Sequence, residues 1–270
     1  MKGVEQRRAL HVEADFESER DDQVVVEEPL EIRVAGDALA VTMRTPGHDH
    51  ELVAGFLLAE GLVRSKSELG GIAHCGHPGD EGYGNVIDVS AAPGSVLDAD
   101  SRRSRRGTLT TSACGVCGRT TIADLVARLA RPAEQARFDR ALLLTLTDRL
   151  KNEQPNFART GGLHAAAVAD TRGTLLVARE DVGRHNAVDK VIGRLLLDGA
   201  LPLSEHLLVV SGRTSFEIVQ KAAAAGLPAV VGVSAPSSLA IATAEALGML
   251  LVGFARNGTY NVYAGSSRLC

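Results

Sequence analysis

From Leu163 onward, strand-like apolar runs alternate with helical ones, and this alternation constrains the fold more than any other feature of the chain. HAAAVAD and TLLVARE, joined by the turn Asp170 to Gly173, predict a hairpin. Val188, Val191, Ile192, Leu195 and Leu196 then recur at helical spacing. HLLVVS, PAVVGVS and GMLLVGF follow as strands, interleaved with the helical stretches FEIVQKAAAAG and LAIATAEALG. Strands and helices in alternation imply an α/β unit whose sheet is largely parallel and carries helices on its faces. The expected caps agree: Thr214 with Glu217 as a capping box, Asn186 with Asp189 more loosely, and Gly226 with Pro228 to close a helix.

The first part of the chain reads differently. Residues 1–22 are polar and lack a hydrophobic period, which predicts a mobile tail. LEIRVAGDALAVTMR alternates around Gly36 and Asp37 as a hairpin does. HELVAGFLLAEGLV places Leu52, Val53, Phe56 and Leu57 on one helical face with Gly61 as a C-cap, and NVIDV reads as another strand. A stretch rich in Ser, Arg, Asp and Gly from Ala91 to Gly107 marks a boundary. The expected organisation is a tail over 1–22, a small α+β domain over 23–106 and an α/β domain over 107–270. With 45% hydrophobic and 23% charged residues the 270-residue chain can build its core without staples. No apolar run is long enough to span a membrane, and the N-terminus lacks a signal-peptide core, so a cytoplasmic location is expected. A net charge of −4 gives no extended surface for nucleic acid or membrane.

Four cysteines do not make a disulfide framework in a chain of this length, which leaves the thiols free for chemistry. TTSACGVCGRTTIADLVARLA sets Cys114 and Cys117 just before a predicted helix with an apolar face of Ile122, Leu125, Val126 and Leu129. A helix N-terminus with Arg106 and Arg119 nearby favours the reactive thiolate. Gly115 and Gly118 suit a mobile loop, which would let a carrier meet both donor and acceptor. Two other readings of the CxxC stand beside nucleophilic sulfur chemistry, and a third, purely structural burial, is disfavoured by the small, polar residues that flank it. One is half of a zinc site completed from His74, Cys75 and His77; the other is a thioredoxin-like redox pair. The cluster Arg102, Arg103, Arg105 and Arg106 is either a solvated linker or a docking element.

The strands of the second unit are followed by loops of one chemical type: EDVGRHN, SGRTS, SAPSS and FARNG. On the carboxyl edge of an open α/β sheet such loops gather where ligands bind. Their hydroxyls, backbone amides and helix N-termini, with Arg184, Arg213 and Arg256, suit a phosphorylated ligand. Each loop alone is equally a set of good caps. On this reading Arg213, Ser215 and His185 are candidate contacts. His185 and His164 are candidates either for chemistry or for structural hydrogen bonding.

The set TTSACGVCG, TGGLHAAAV, EDVGRHNAVDKVIG, SGRTSFEIVQKAAAAG and FARNGTYNVY resembles the formate dehydrogenase accessory sulfurtransferases, the FdhD-type proteins, from near Glu27 almost to the C-terminus. The resemblance implies a cytoplasmic carrier that takes sulfur from a cysteine desulfurase. It would pass that sulfur to the molybdenum bis(molybdopterin guanine dinucleotide) cofactor before insertion into formate dehydrogenase. It places the persulfide on Cys114, with Cys117 assisting, and cofactor contacts on Phe254, Ala255, Arg256, Asn257, Gly258 and Thr259. It also implies a cytidine-deaminase-like three-layer second domain, and a homodimer would suit the family. Zinc deaminases need a catalytic Glu and metal-binding cysteines. Here Ala187 stands in the Glu position and SGRTSFE has no cysteine, so deamination is not expected. The remaining alternative is a zinc-stabilised cofactor-binding chaperone without sulfur transfer.

Overall fold

The computed structural model describes residues 3–80, 82–97, 126, 129 and 131–270. Cys114, Cys117, the arginine cluster and most of the helix predicted after them lie outside the described residues.

The second unit is built on a six-stranded sheet in the order β12-β11-β10-β9-β7-β8. Its strands are β7 (His164–Asp170), β8 (Leu175–Asp181), β9 (His206–Val210), β10 (Ala229–Gly232), β11 (Leu250–Arg256) and β12 (Thr259–Ala264). The predicted β7–β8 hairpin is present. Asp170 accepts from the backbone N–H of Arg172 and Thr174 at 2.9 Å, fixing its turn. The expectation of a largely parallel sheet needs correction. Only β9, β10 and β11 run parallel, whereas β7 and β12 are antiparallel to their neighbours. Connections as short as these hairpin turns cannot carry the crossover that a parallel pair requires.

Alternation along the strands gives the sheet two buried faces. Ala166, Val168, Leu208, Val210, Val230 and Leu251 share one cluster. Helices α5 (Arg184–Leu197), α6 (Phe216–Ala224) and α7 (Ser238–Leu247) contribute to this cluster. Ala165, Ala167, Leu207, Val209, Val231 and Val252 face the other way. They pack with Phe138, Leu143, Leu146 and Leu150 from α2 (Arg140–Leu143), α3 (Leu146–Asn152) and the segment before them. These short helices, with α4 (Pro155–Thr160), fall below the length at which sequence period is readable. The apolar residues predicted on α5 are all buried.

The first unit has a four-stranded sheet, β4-β3-β6-β5, under one helix. It contains the predicted hairpin β3 (Glu28–Val34) and β4 (Asp37–Arg44), helix α1 (Asp49–Ala59) and strand β6 (Val86–Ala91). It also contains β5 (Leu69–His74), which the sequence hides because two of its six residues are glycine. Residues 4–25 are not the structureless tail that their polarity predicts. They form a long hairpin of β1 (Val4–Glu13) and β2 (Phe16–Val25), with cross-strand charge pairing such as Arg8 to Glu19 at 2.8 Å.

The two units share one core: Leu30, Ile32, Leu52 and Leu57 belong to the same cluster as Val188, Ile192, Leu208 and Val230. Polar bonds join them as well. Lys190, on α5, puts its ammonium 2.6 Å from Asp181 and 2.9 Å from the carbonyl of Thr45, and all three residues are buried. Asp181 also accepts from the backbone N–H of Thr45 and of Gly183. Asn186 donates to the carbonyl of Met43 at 2.8 Å.

Candidate functional site

β8, β9, β10 and β11 all point the same way, because β7 lies antiparallel to both β8 and β9. Their carboxyl ends therefore line one edge, and the N-terminal end of β7, carrying His164, reaches the same edge. The four polar loops predicted to gather do so. β8 and β11 are four strand spacings apart in this sheet, roughly 19 Å.

At the β8 end, Arg184 and His185 open α5. His185 Nε2 is 3.0 Å from Ser215 Oγ and 3.2 Å from Glu217 Oε2, with the ring largely buried. Burial, reinforced by Arg184, Lys221 and His164 and opposed by Glu217, pushes His185 down to about 4. It is therefore neutral near pH 7 and able to donate from one ring nitrogen and accept at the other. His164 is also shifted down, first by burial and then by the charges of Arg184 and Arg213. Both guanidiniums thus act on His164 at this edge.

The caps differ from expectation. Ser215, not Thr214, is the N-cap of α6, and its hydroxyl makes no capping bond. Glu217 meets His185 instead of closing a capping box. Gly183 is the N-cap of α5, and Asn186 and Asp189 lie inside that helix. Asn186 bonds Asp181 and Met43, and both Asp189 carboxylate oxygens accept from Lys221. Polar side chains with long-range partners were drawn away from their own helix ends. Thr214 is held by bonds to Ala235 and Ser237, yet its buried Oγ1 has no protein partner, and neither has Arg184 Nε. Both keep hydrogen-bonding capacity beside the α5 and α6 N-termini, where anions are favoured.

At the other end of the edge, Phe254 to Thr259 form the β11–β12 hairpin turn, not a loop between parallel strands. Asn257 and Gly258 both have positive φ, 53° and 70°, as a tight two-residue hairpin turn demands. Phe254 also stands at φ 53°, a conformation that costs a bulky residue about 1–3 kcal/mol. Its N–H donates to Ser234 at 3.2 Å, tying the strained residue to the loop after β10. Ala255 is buried and Arg256 exposed, the latter with its guanidinium carbon 5.6 Å from the Phe254 ring centroid. Thr259 Oγ1 donates to the Arg256 carbonyl. The structure thus brings His185, Arg213 and Ser215 to one part of the edge and residues 254–259 to another, bridged by Thr214, Ser234 and Ala235.

His74, Cys75 and His77 do not converge. His74 faces Asp49 at 3.5 Å while His77 is exposed beside Asp80. Among the described residues no group of three His, Cys, Asp or Glu side chains has metal-binding geometry. No helix of the described residues is long and apolar enough to cross a membrane. A cleft of about 660 Å³ beside the start of α1, lined by His48, His50, His74 and Tyr83, was not foreseen. The histidines of PGHDH and HCGH were its signal in the sequence.

The profile of the FdhD/NarQ family matches residues 25–270. The sulfur carrier protein FdhD of Corynebacterium efficiens is 49% identical over 259 residues, covering 93% of this chain and 92% of its own. That of Anaeromyxobacter sp. (strain K) is 50% identical over 255 residues, covering 92% and 88%. Among solved structures, a formate dehydrogenase accessory protein from Desulfotalea psychrophila superposes with a TM-score of 0.77 at 25% identity, covering 99% of this chain and all of that one. With its motifs in order and its match running to the last residue, the chain belongs to the FdhD/NarQ family.

Proposed function

We propose that this chain is a sulfur carrier that accepts persulfide sulfur from a cysteine desulfurase on Cys114. It then transfers that sulfur to the molybdenum bis(guanine dinucleotide) cofactor before insertion into formate dehydrogenase. The observation that carries this reading is the near-full-length identity to proteins named sulfur carrier protein FdhD. In the first step the Cys114 thiolate attacks the outer sulfur of the donor persulfide. A new S–S bond forms on Cys114, the donor S–S bond breaks, and the donor leaves as thiolate. In the second, the Cys117 thiolate attacks Cys114 Sγ, forming the Cys114–Cys117 disulfide and releasing hydrosulfide to the acceptor. A thiol reductant then resets the pair.

The acceptor is read as lying along the carboxyl edge, its guanine nucleotide phosphates between the α5 and α6 N-termini and the 254–259 turn. Arg184, Arg213 and Arg256 supply the positive charge there. The two-faced sheet with helices on both sides supports a cytidine-deaminase-like build for the second domain, with the boundary near residue 106.

The test is desulfurase-driven loading followed by measurement of cyanide-labile sulfur. Wild type should gain about one such sulfur per chain, and Cys114→Ala should gain none. Full loading of Cys114→Ala would remove Cys114 from the mechanism.

A further inference from the structure

The arm formed by β1 and β2 has no part in the function proposed above. It is a sheet of two strands, and among the described residues no strand pairs with the outer edge of β1. Leu10 and Val12 share one face of the arm, 60% and 59% exposed, opposite Glu19 and Glu17 of β2. A ribbon of two strands is marginal in water, and what stabilises it is further strands that share an apolar face.

β1 is its own complement. Let it pair with β1 of a second copy, antiparallel about a two-fold axis normal to the sheet. Each residue then stays on its own face, so even-numbered residues oppose only even-numbered ones. One such register sets Leu10 on the axis against its own image. Val12 then lies against the aliphatic stem of the second copy's Arg8, and Arg7 opposes the second copy's Glu13, once on each side of the axis. Both charged groups have capacity for this. Among the described residues Arg7 bonds Glu5 through Nε, at 2.8 Å, which leaves its terminal nitrogens, and Glu13 gives one oxygen to His11, at 3.1 Å.

The other registers are worse. An axis at Ala9 opposes Glu5 to Glu13, and an axis at Arg8 opposes two guanidiniums; like charges directly opposite are destabilising. An axis at His11 leaves only residues 9–13 paired, against residues 7–13 for the axis at Leu10. With the axis at Leu10, the turn after Glu13 also stops short of the second copy's Val4, where that arm reaches the cleft beside α1.

We propose that this protein self-associates through β1, two copies joining their arms edge to edge into one four-stranded sheet with Leu10 on the two-fold axis. Pairing over residues 7–13 covers much less than the roughly 1,200–2,000 Å² of a stable complex. The association is therefore weak, with a dissociation constant of about 1–100 μM.

The experiment is sedimentation equilibrium of the full chain, kept reduced so that its thiols cannot link copies. The mass should rise from one chain toward two between about 1 μM and about 500 μM. Leu10→Lys puts an ammonium opposite its own Glu19, which keeps the arm paired, but sets two ammoniums against each other on the axis. It should weaken the association about tenfold or more. Glu13→Arg, which meets the second copy's Arg7, should weaken it to a similar degree. After Leu10→Cys and mild oxidation, peptide mapping should find the introduced thiols joined to each other, since strand partners lie within disulfide reach. A single-chain mass up to about 1 mM overturns the inference. So does an association that Leu10→Lys leaves unchanged, which would put the contact on another surface. An association indifferent to Glu13→Arg, or introduced thiols that do not join, rejects the register and with it the proposal.

Discussion

Gly55 on α1 and Gly193 on α5 set how closely the two halves of the chain approach. A Cβ on Gly55 would overlap the Asp189 carbonyl, and one on Gly193 would overlap the Glu51 carbonyl. Both obstacles are backbone, which cannot rotate aside. Alanine at position 193 would gain about 1 kcal/mol of helix propensity but force two packed helices apart. Overpacking of this kind costs about 1–3 kcal/mol, and it should prevail because the clash is with main chain. Gly193→Ala should therefore melt about 3 °C lower. A melting curve for Gly193→Ala that matches wild type would show that the crossing has slack. In the sequence both glycines look like weak points inside helices, because their partners lie more than a hundred residues away. His185 shows the same limit: its place before a helix was legible, but Ser215 and Glu217, its neighbours in space, were not.

Among the elements, the β1–β2 hairpin departs most from its sequence. Neither core cluster includes any residue of it, and Leu10, Val12 and Phe16 near its tip are about 60% exposed. Its strands hold through the backbone ladder and pairs such as Arg8 with Glu19, which a scan for hydrophobic period does not register. Among the described residues its base meets the body, where Arg159 donates to Gln23 at 2.7 Å and Val25 lies against Gly162. An isolated two-stranded hairpin is marginally stable, so the distal arm should add little to the stability of the rest. Arg7 pairs with Asp22 in register, so residues 8–21 can be replaced by Asn-Gly as a two-residue turn. The shortened chain should unfold in urea within about 0.5 kcal/mol of the parent. A much larger loss would mean that the distal arm supports the body after all. β3 and α5 were legible from sequence for the converse reason: each has a clear period and presents an apolar face to the shared core.

At the scale of the molecule, the sheet edge that gathers the polar loops was readable before the sheet itself. Loop chemistry repeats after each strand that ends there, whatever the direction of the strands between. What strand alternation could not convey is that the first unit's helix is built into the second unit's core, or that charged bonds reinforce the join. Glu51 is the clearest of these bonds, linking α1 to Arg179 on β8. Burial alone would raise its pKa, but bonds from His48 and Arg179 and the Arg179 charge outweigh that and hold the carboxyl at about 2. A carboxyl depressed in the folded state adds stability that is fully present above its unfolded pKa of about 4.5 and disappears as pH falls through the folded value. The window is therefore from about pH 4.5 to about pH 2, and the stability at stake is about 2 kcal/mol after allowance for solvent screening. Glu51→Gln should be less stable than wild type at neutral pH and close most of that gap on acidification through the window. Equilibrium urea unfolding at a series of pH values reads the difference directly. A gap that stayed constant down to pH of about 2 would mean that the carboxylate acts at this join through its shape and hydrogen bonds, with its charge contributing nothing.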